Sequence, residues 1–158
     1  MEDELAKRLQ PVKVVLLAMV FGVIGFAAVA YVLLRDGAFE TNEKTGPVLL
    51  GLLGLLALGE LPAYLIIRQS VTAKLRRRWQ VEEPVNHPAT FFGQPIATVA
   101  ILGGAMVEGL GLFGVLVYLL AGNSWGLAAP AAAVSLLLAQ IPTRQSTERF
   151  VSSTTATA

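Results

Sequence analysis

The sequence has no cysteine and a single histidine, His87, among 158 residues. Without cysteine there is no disulfide, no thiolate nucleophile and no cysteine metal site. One histidine builds no cluster, and of the other usual ligands only Glu82 and Glu83 stand near it in the chain, so no metal or other cofactor is expected. Charge is scarce too: Asp, Glu, Lys and Arg make up 15% of the chain, against about 25% in soluble domains. The two signs nearly cancel at a net +1, which gives no reason to expect nucleic acid or an acidic substrate. What the chain has in abundance is hydrophobic residues, 54% of the total, with a mean hydropathy of +0.64. This balance argues against a water-soluble globular domain and predicts an integral membrane protein.

A hydrocarbon core about 30 Å thick takes roughly 20 apolar helical residues. Four uncharged or nearly uncharged runs approach that length: 14–34, 47–67, 95–120 and 125–141. The last is short, Ala-rich and holds Pro130. Backbone in lipid must bond to itself, and runs that are apolar on all sides lack the alternation of a barrel strand. The expected fold is therefore all-α, a transmembrane four-helix bundle forming one domain over 1–145. Residues 146–158, rich in Ser, Thr and Ala with nothing to bury, are expected to be a disordered tail. A competing reading of the first run is a signal peptide cleaved after Ala28-Val29-Ala30. Its length and the acidic start Glu2-Asp3-Glu4 favour a span.

Basic residues resist translocation, so their distribution sets orientation. Lys7, Arg8 and Lys13 precede the first run; Arg68, Lys74, Arg76, Arg77 and Arg78 follow the second; Arg144 and Arg149 lie in the tail. Only Arg35 and Lys44 fall between the first two runs, beside Asp36, Glu40 and Glu43. Both termini are expected in the cytoplasm, with the chain a multi-pass protein of the inner (cytoplasmic) cell membrane and the lipid bilayer its first partner.

Two carboxylates fall inside predicted spans, where each costs roughly 2.5 to 3.5 kcal/mol. Glu108 shares a helix face with Gly104 at i−4 and Gly111 at i+3, a small stripe that continues to Ala97 and Ala100. Small residues let a second helix approach closely, so Glu108 is expected to point into the bundle. Glu60 has Tyr64 one turn later as its expected hydrogen-bond partner. By helical rise it lies ~10 Å from the cytoplasmic end of its span, against ~20 Å for Glu108. A third helix that began later than Pro95 would bring the two to one level, where they could share a proton. The functional reading is a proton or cation site at Glu108, Glu60 and Tyr64; the competing one is interhelical hydrogen-bond glue. Few other polar residues fall in the spans, chiefly Tyr31, Thr98, Tyr118 and Ser135, so no polar path is evident.

Gly109-Leu110-Gly111-Leu112-Phe113-Gly114 spells the dinucleotide fingerprint but lies within an apolar span, without the strand that fingerprint requires. Close helix packing is the expected reason for these glycines and for Gly51 and Gly54. Lys74, Arg76, Arg77, Arg78 and Trp79 form a candidate contact for anionic lipid, although stop-transfer charge alone predicts such a cluster. A nucleic-acid site would need more stacking aromatics than Trp79. No nucleophile, base and orienting group stand together, so no enzyme is expected, and no small-molecule substrate can be inferred.

Glu108-Gly109, Phe113 and Tyr118-Leu119, with Pro142-Thr143-Arg144 after the last run, resemble a group of uncharacterised bacterial four-helix membrane proteins. That resemblance implies a membrane protein without an assigned site. The segment Glu108 to Gly114 is also similar to the proteolipid of rotary ATPases, which implies a proton-carrying carboxylate. The first run, however, has only Gly22 and Gly25 in place of a glycine-rich stripe, and the acids fall on the second and third runs. The expected role is a non-enzymatic structural or accessory subunit, with other membrane subunits or further copies of the chain as partners. The alternative is a translocating element built on Glu108, with Glu60 beside it.

Overall fold

The computed structural model describes residues 2–38, 40–81 and 88–143, and among them the chain is helical with no strand. Four α-helices follow in order: α1 (Glu2–Arg35), α2 (Gly46–Val81), α3 (Pro88–Ala121) and α4 (Ala128–Gln140). Short 3₁₀ turns precede α2 at Glu43–Thr45 and α4 at Ser124–Leu127. His87 and the predicted tail lie outside the described residues.

The long helices outrun the runs read from hydropathy. The basic stretch expected as a loop is the last part of α2, because Ala73, Lys74, Leu75 and the arginines are strong helix formers and no proline intervenes before Pro84. Pro95, expected to open the third span, lies inside α3, which starts at Pro88, where a missing N–H costs nothing. Among the described residues three stretches are long and apolar enough to cross a membrane: Leu9–Arg35, Gly46–Leu75 and Gly93–Ala121. The fourth, Ser124–Gln140, falls within a residue or so of its expected bounds but is a shorter apolar helix. Its regular part has 13 residues, about 20 Å by helical rise.

Two glycines make the turns at one end. Gly37, at φ +67°, ends α1 in a Schellman motif, with Gly37 N donating to Leu34 O at 3.2 Å and Ala38 N to Leu33 O at 3.0 Å. Gly122, at φ +64°, ends α3 and lies against Thr41. Asn42 N donates to Leu120 O at 3.0 Å, tying the α1–α2 connection to the end of α3. Asn123 then caps the turn before α4 by accepting from Trp125 N at 3.0 Å. At the opposite end Leu9 of α1 shares a cluster with Ile96 of α3 and Ile141 beyond α4. The helices thus run alternately up and down.

Helix α3 is central and packs against each of the others; α1 also packs against α4, whereas α2 makes substantial contact with α3 alone. The core is built from α1 at three- and four-residue spacing, Leu9, Val12, Leu16, Val20 and Val23, closed by Leu137 of α4. A second cluster joins Ala30 to Val115 and Leu119. Between residues 47 and 74 no described side chain of α2 is buried. The close packing expected at Gly51 and Gly54 is therefore not found: a Cβ on either would meet nothing within 4 Å, and Gly54 borders an open space between α2, α3 and α4.

Candidate functional site

The small-residue face of α3 carries the tight contacts. A Cβ on Gly104 would come 2.6 Å from Leu16 Cδ2, and one on Gly111 would come 2.8 Å from Ala133 Cβ and 3.3 Å from Val23 Cγ1. Between these two glycines the half-buried Glu108 turns toward α1, its Oε1 3.2 Å from where a Cβ on Gly22 would sit. The acid fills the notch that Gly22 leaves. It makes no hydrogen bond or ion pair among the described residues, so the structure shows contact at this point without hydrogen-bond glue.

Glu60 faces a different space. A cavity of about 460 Å³ lies between α2, α3 and α4, with Leu53 and Ala57, Met106 and Leu110, and Ala129 and Leu136 among its walls. Glu60 Oε2 is buried at this wall with no hydrogen-bond partner among the described residues. Tyr64 does not supply one, which corrects the expected i, i+4 pair. Its ring lies on Gly103, where a Cβ would collide with Tyr64 Cε2 and come 3.1 Å from Cδ2. Because Gly103 has no side chain, the ring drops onto the α3 backbone and is held there, instead of turning along α2 toward the acid.

Tyr64 also borders a second cavity of about 250 Å³, which Arg68 and Thr72 of α2, Pro95 and Val99 of α3, and Gln140 of α4 help to enclose. Gln140 Oε1 is buried without a partner among the described residues, 3.2 Å from the position of a Cβ on Gly103. Two orphaned oxygens thus stand near Tyr64, one on each cavity. Gln140 was missed by the sequence reading; the available signal was a lone amide at the end of an Ala-rich run. The span hydroxyls add nothing to a path. Thr72, Thr98 and Ser135 donate to the carbonyls of Arg68, Gln94 and Ala131 four residues back, at 2.8, 3.0 and 2.9 Å.

The two acids come to similar depth, since Glu60 shares its cavity with Met106 and Leu110, which flank Glu108 in sequence. They do not meet. Met106 and Leu110 are one turn apart on one face, and Glu108, midway between them, projects from the opposite side of α3 toward α1. The backbone of α3 separates the carboxyls, so the shared proton has no place in this arrangement.

Of the candidate lipid contacts, Lys74 and Arg77 are exposed on the last part of α2. The side chains of Arg76, Arg78 and Trp79 lie outside the described residues. The fingerprint-like glycines sit within unbroken helix, Gly111 and Gly114 in tight contact and Gly109 with nothing within 4 Å. Among the described residues no three His, Asp or Glu side chains gather to hold a metal ion. Comparison of the chain with protein-family models, with curated proteins and with solved structures finds no match in any of the three.

Proposed function

We propose that the chain is a non-enzymatic multi-pass protein of the inner (cytoplasmic) cell membrane and that its working group is the Glu60 carboxyl, which takes up a proton or a cation within the bilayer. The observation that carries this reading is the buried, unpartnered Oε2 at the wall of the α2–α3–α4 cavity. A carboxyl within a membrane span costs roughly 2.5 to 3.5 kcal/mol, and among the described residues no hydrogen-bond donor to Oε2 offsets the cost. A packing role for Glu60 has no partner to act through, whereas a binding role needs an open acceptor. The alternating helices bring the start of α1 and the end of α2 to one end, with Lys7, Lys74 and Arg77, and leave Arg35 and Lys44 among acids at the other. By the positive-inside rule this distribution supports cytoplasmic termini.

A structural role is favoured at Glu108, on its own observation. Its carboxyl occupies the Gly22 notch and fits α1 to α3, while the α2 face that no helix covers is left to lipid or to another membrane subunit. The test is proton uptake into liposomes holding the purified chain under an imposed gradient, with sodium uptake measured alongside to ask whether an inorganic cation takes the place of the proton. Uptake is expected to vanish in Glu60→Gln and persist in Glu108→Gln; equal uptake by wild type and Glu60→Gln refutes the proposal.

A further inference from the structure

We propose that the cavity between α2, α3 and α4 binds a lipophilic organic monocation, with the Glu60 carboxylate as its counter-ion. This rests on the reading of Glu60 given above and names the ligand class. A bare metal cation needs several oxygen ligands, and this wall offers one carboxyl. A hydrated ion gains nothing from the remainder, which is almost wholly apolar. A cavity of about 460 Å³ lies in the range that encloses drug-sized ligands, roughly 300 to 1,000 Å³. One charge on an apolar body matches one acid on an apolar wall.

Three further features fit the same occupant. The Tyr64 ring borders the cavity one turn from Glu60, where a ring face attracts an organic cation. Met106 supplies a polarisable, adaptable thioether to the apolar part. Entry needs no aqueous path, because α2 and α4 make at most marginal contact and leave that side of the cavity unclosed toward the bilayer, where lipophilic cations concentrate. Beyond Tyr64 the second cavity carries Arg68, whose like charge disfavours a cation there. The site therefore ends at Tyr64.

The test uses tetraphenylphosphonium as probe and the full chain in nanodiscs of zwitterionic lipid. Saturable binding is expected for wild type and for Glu108→Gln. Glu60→Gln should weaken it by at least about tenfold, as removal of one partner of a desolvated charge pair does. Ala57→Leu keeps the carboxyl but intrudes on the cavity and should also weaken binding; this variant decides the matter if Glu60→Gln does not fold. Uptake by simple partition, as expected if lipid chains or a partner helix fill the cavity, overturns the inference, and so does saturable binding that both variants retain. Proton and sodium uptake on the same preparations separates the two claims. Glu60-dependent uptake without probe binding removes this inference and leaves the functional reading standing, whereas loss of both removes both.

Discussion

Glu108 Oε1 stands 3.2 Å from the point where a side chain on Gly22 would begin, so the acid on α3 and the glycine on α1 occupy one shared volume. A Cβ on Gly22 would press the carboxyl back by a few tenths of an ångström, and the larger branches of a valine would press it further. Gly22→Val should lower stability in detergent by about 1 to 3 kcal/mol, the usual cost of overpacking. Shortening the acid in the double variant Gly22→Val with Glu108→Ala should recover part of that loss. A double-mutant cycle on unfolding midpoints measures the coupling, and additive effects would show that the two residues do not share space.

The glycines of the fingerprint-like segment should respond oppositely to the same substitution. A Cβ on Gly114 would come 2.5 Å from Ala129 Cβ and 2.7 Å from Gly126 O, one of them backbone that cannot swing away. Gly114→Ala should therefore destabilise by about 1 to 3 kcal/mol. Gly109 has nothing within 4 Å, so Gly109→Ala should be neutral or stabilise by roughly 0.5 to 1 kcal/mol through helix propensity. Thermal unfolding of the two variants side by side tests the contrast.

Glu60→Leu should make the protein more stable by about 1 to 3 kcal/mol, because it removes an unsatisfied group from an apolar wall. It should at the same time abolish uptake. A loss of stability in the unfolding assay would reveal a partner for the acid and count against a binding role.

Tyr64 acts through its ring, since its hydroxyl makes no hydrogen bond among the described residues. Tyr64→Phe should leave stability within about 0.5 kcal/mol of wild type. Tyr64→Ala removes the ring from Gly103, joins the two cavities, and should lower stability by roughly 2 kcal/mol or more. Unfolding in detergent distinguishes the two; a large loss in Tyr64→Phe would mean that the hydroxyl is bonded after all.

The absence of cysteine makes the orientation directly testable. Lys44→Cys and Lys74→Cys each introduce one thiol, on exposed residues at opposite ends of α2. An impermeant maleimide applied to intact cells should label the first and reach the second only after permeabilisation. The reverse pattern would invert the proposed topology.

The all-helical character and the apolar stretches of α1, α2 and α3 follow from composition and run length, because backbone in lipid has no alternative to bonding within its own segment. The face that Glu108 would take was legible as well, since Gly104 and Gly111 at i−4 and i+3 mark where another helix can come close. The helix ends were not. Hydropathy stops at the first charge, whereas helix propensity carries α2 on through its arginines to Val81.

Everything that depends on which helix lies beside which was settled by tertiary structure alone. Helices that are apolar on every side carry no stripe to say which face is inward, so Gly51 and Gly54 read the same as Gly111 and Gly114, although only the second pair is in tight contact. The same lack of a stripe hid the asymmetry of the bundle, in which α2 rests on α3 and leaves a cavity against α4. It also hid the choice made by Tyr64, which local spacing assigned to Glu60 and a missing side chain on Gly103 drew to α3. The sequence determined that two acids would lie within long apolar helical stretches. Only the packing of the four helices decided that one would rest in a glycine notch and the other would be left facing an open cavity.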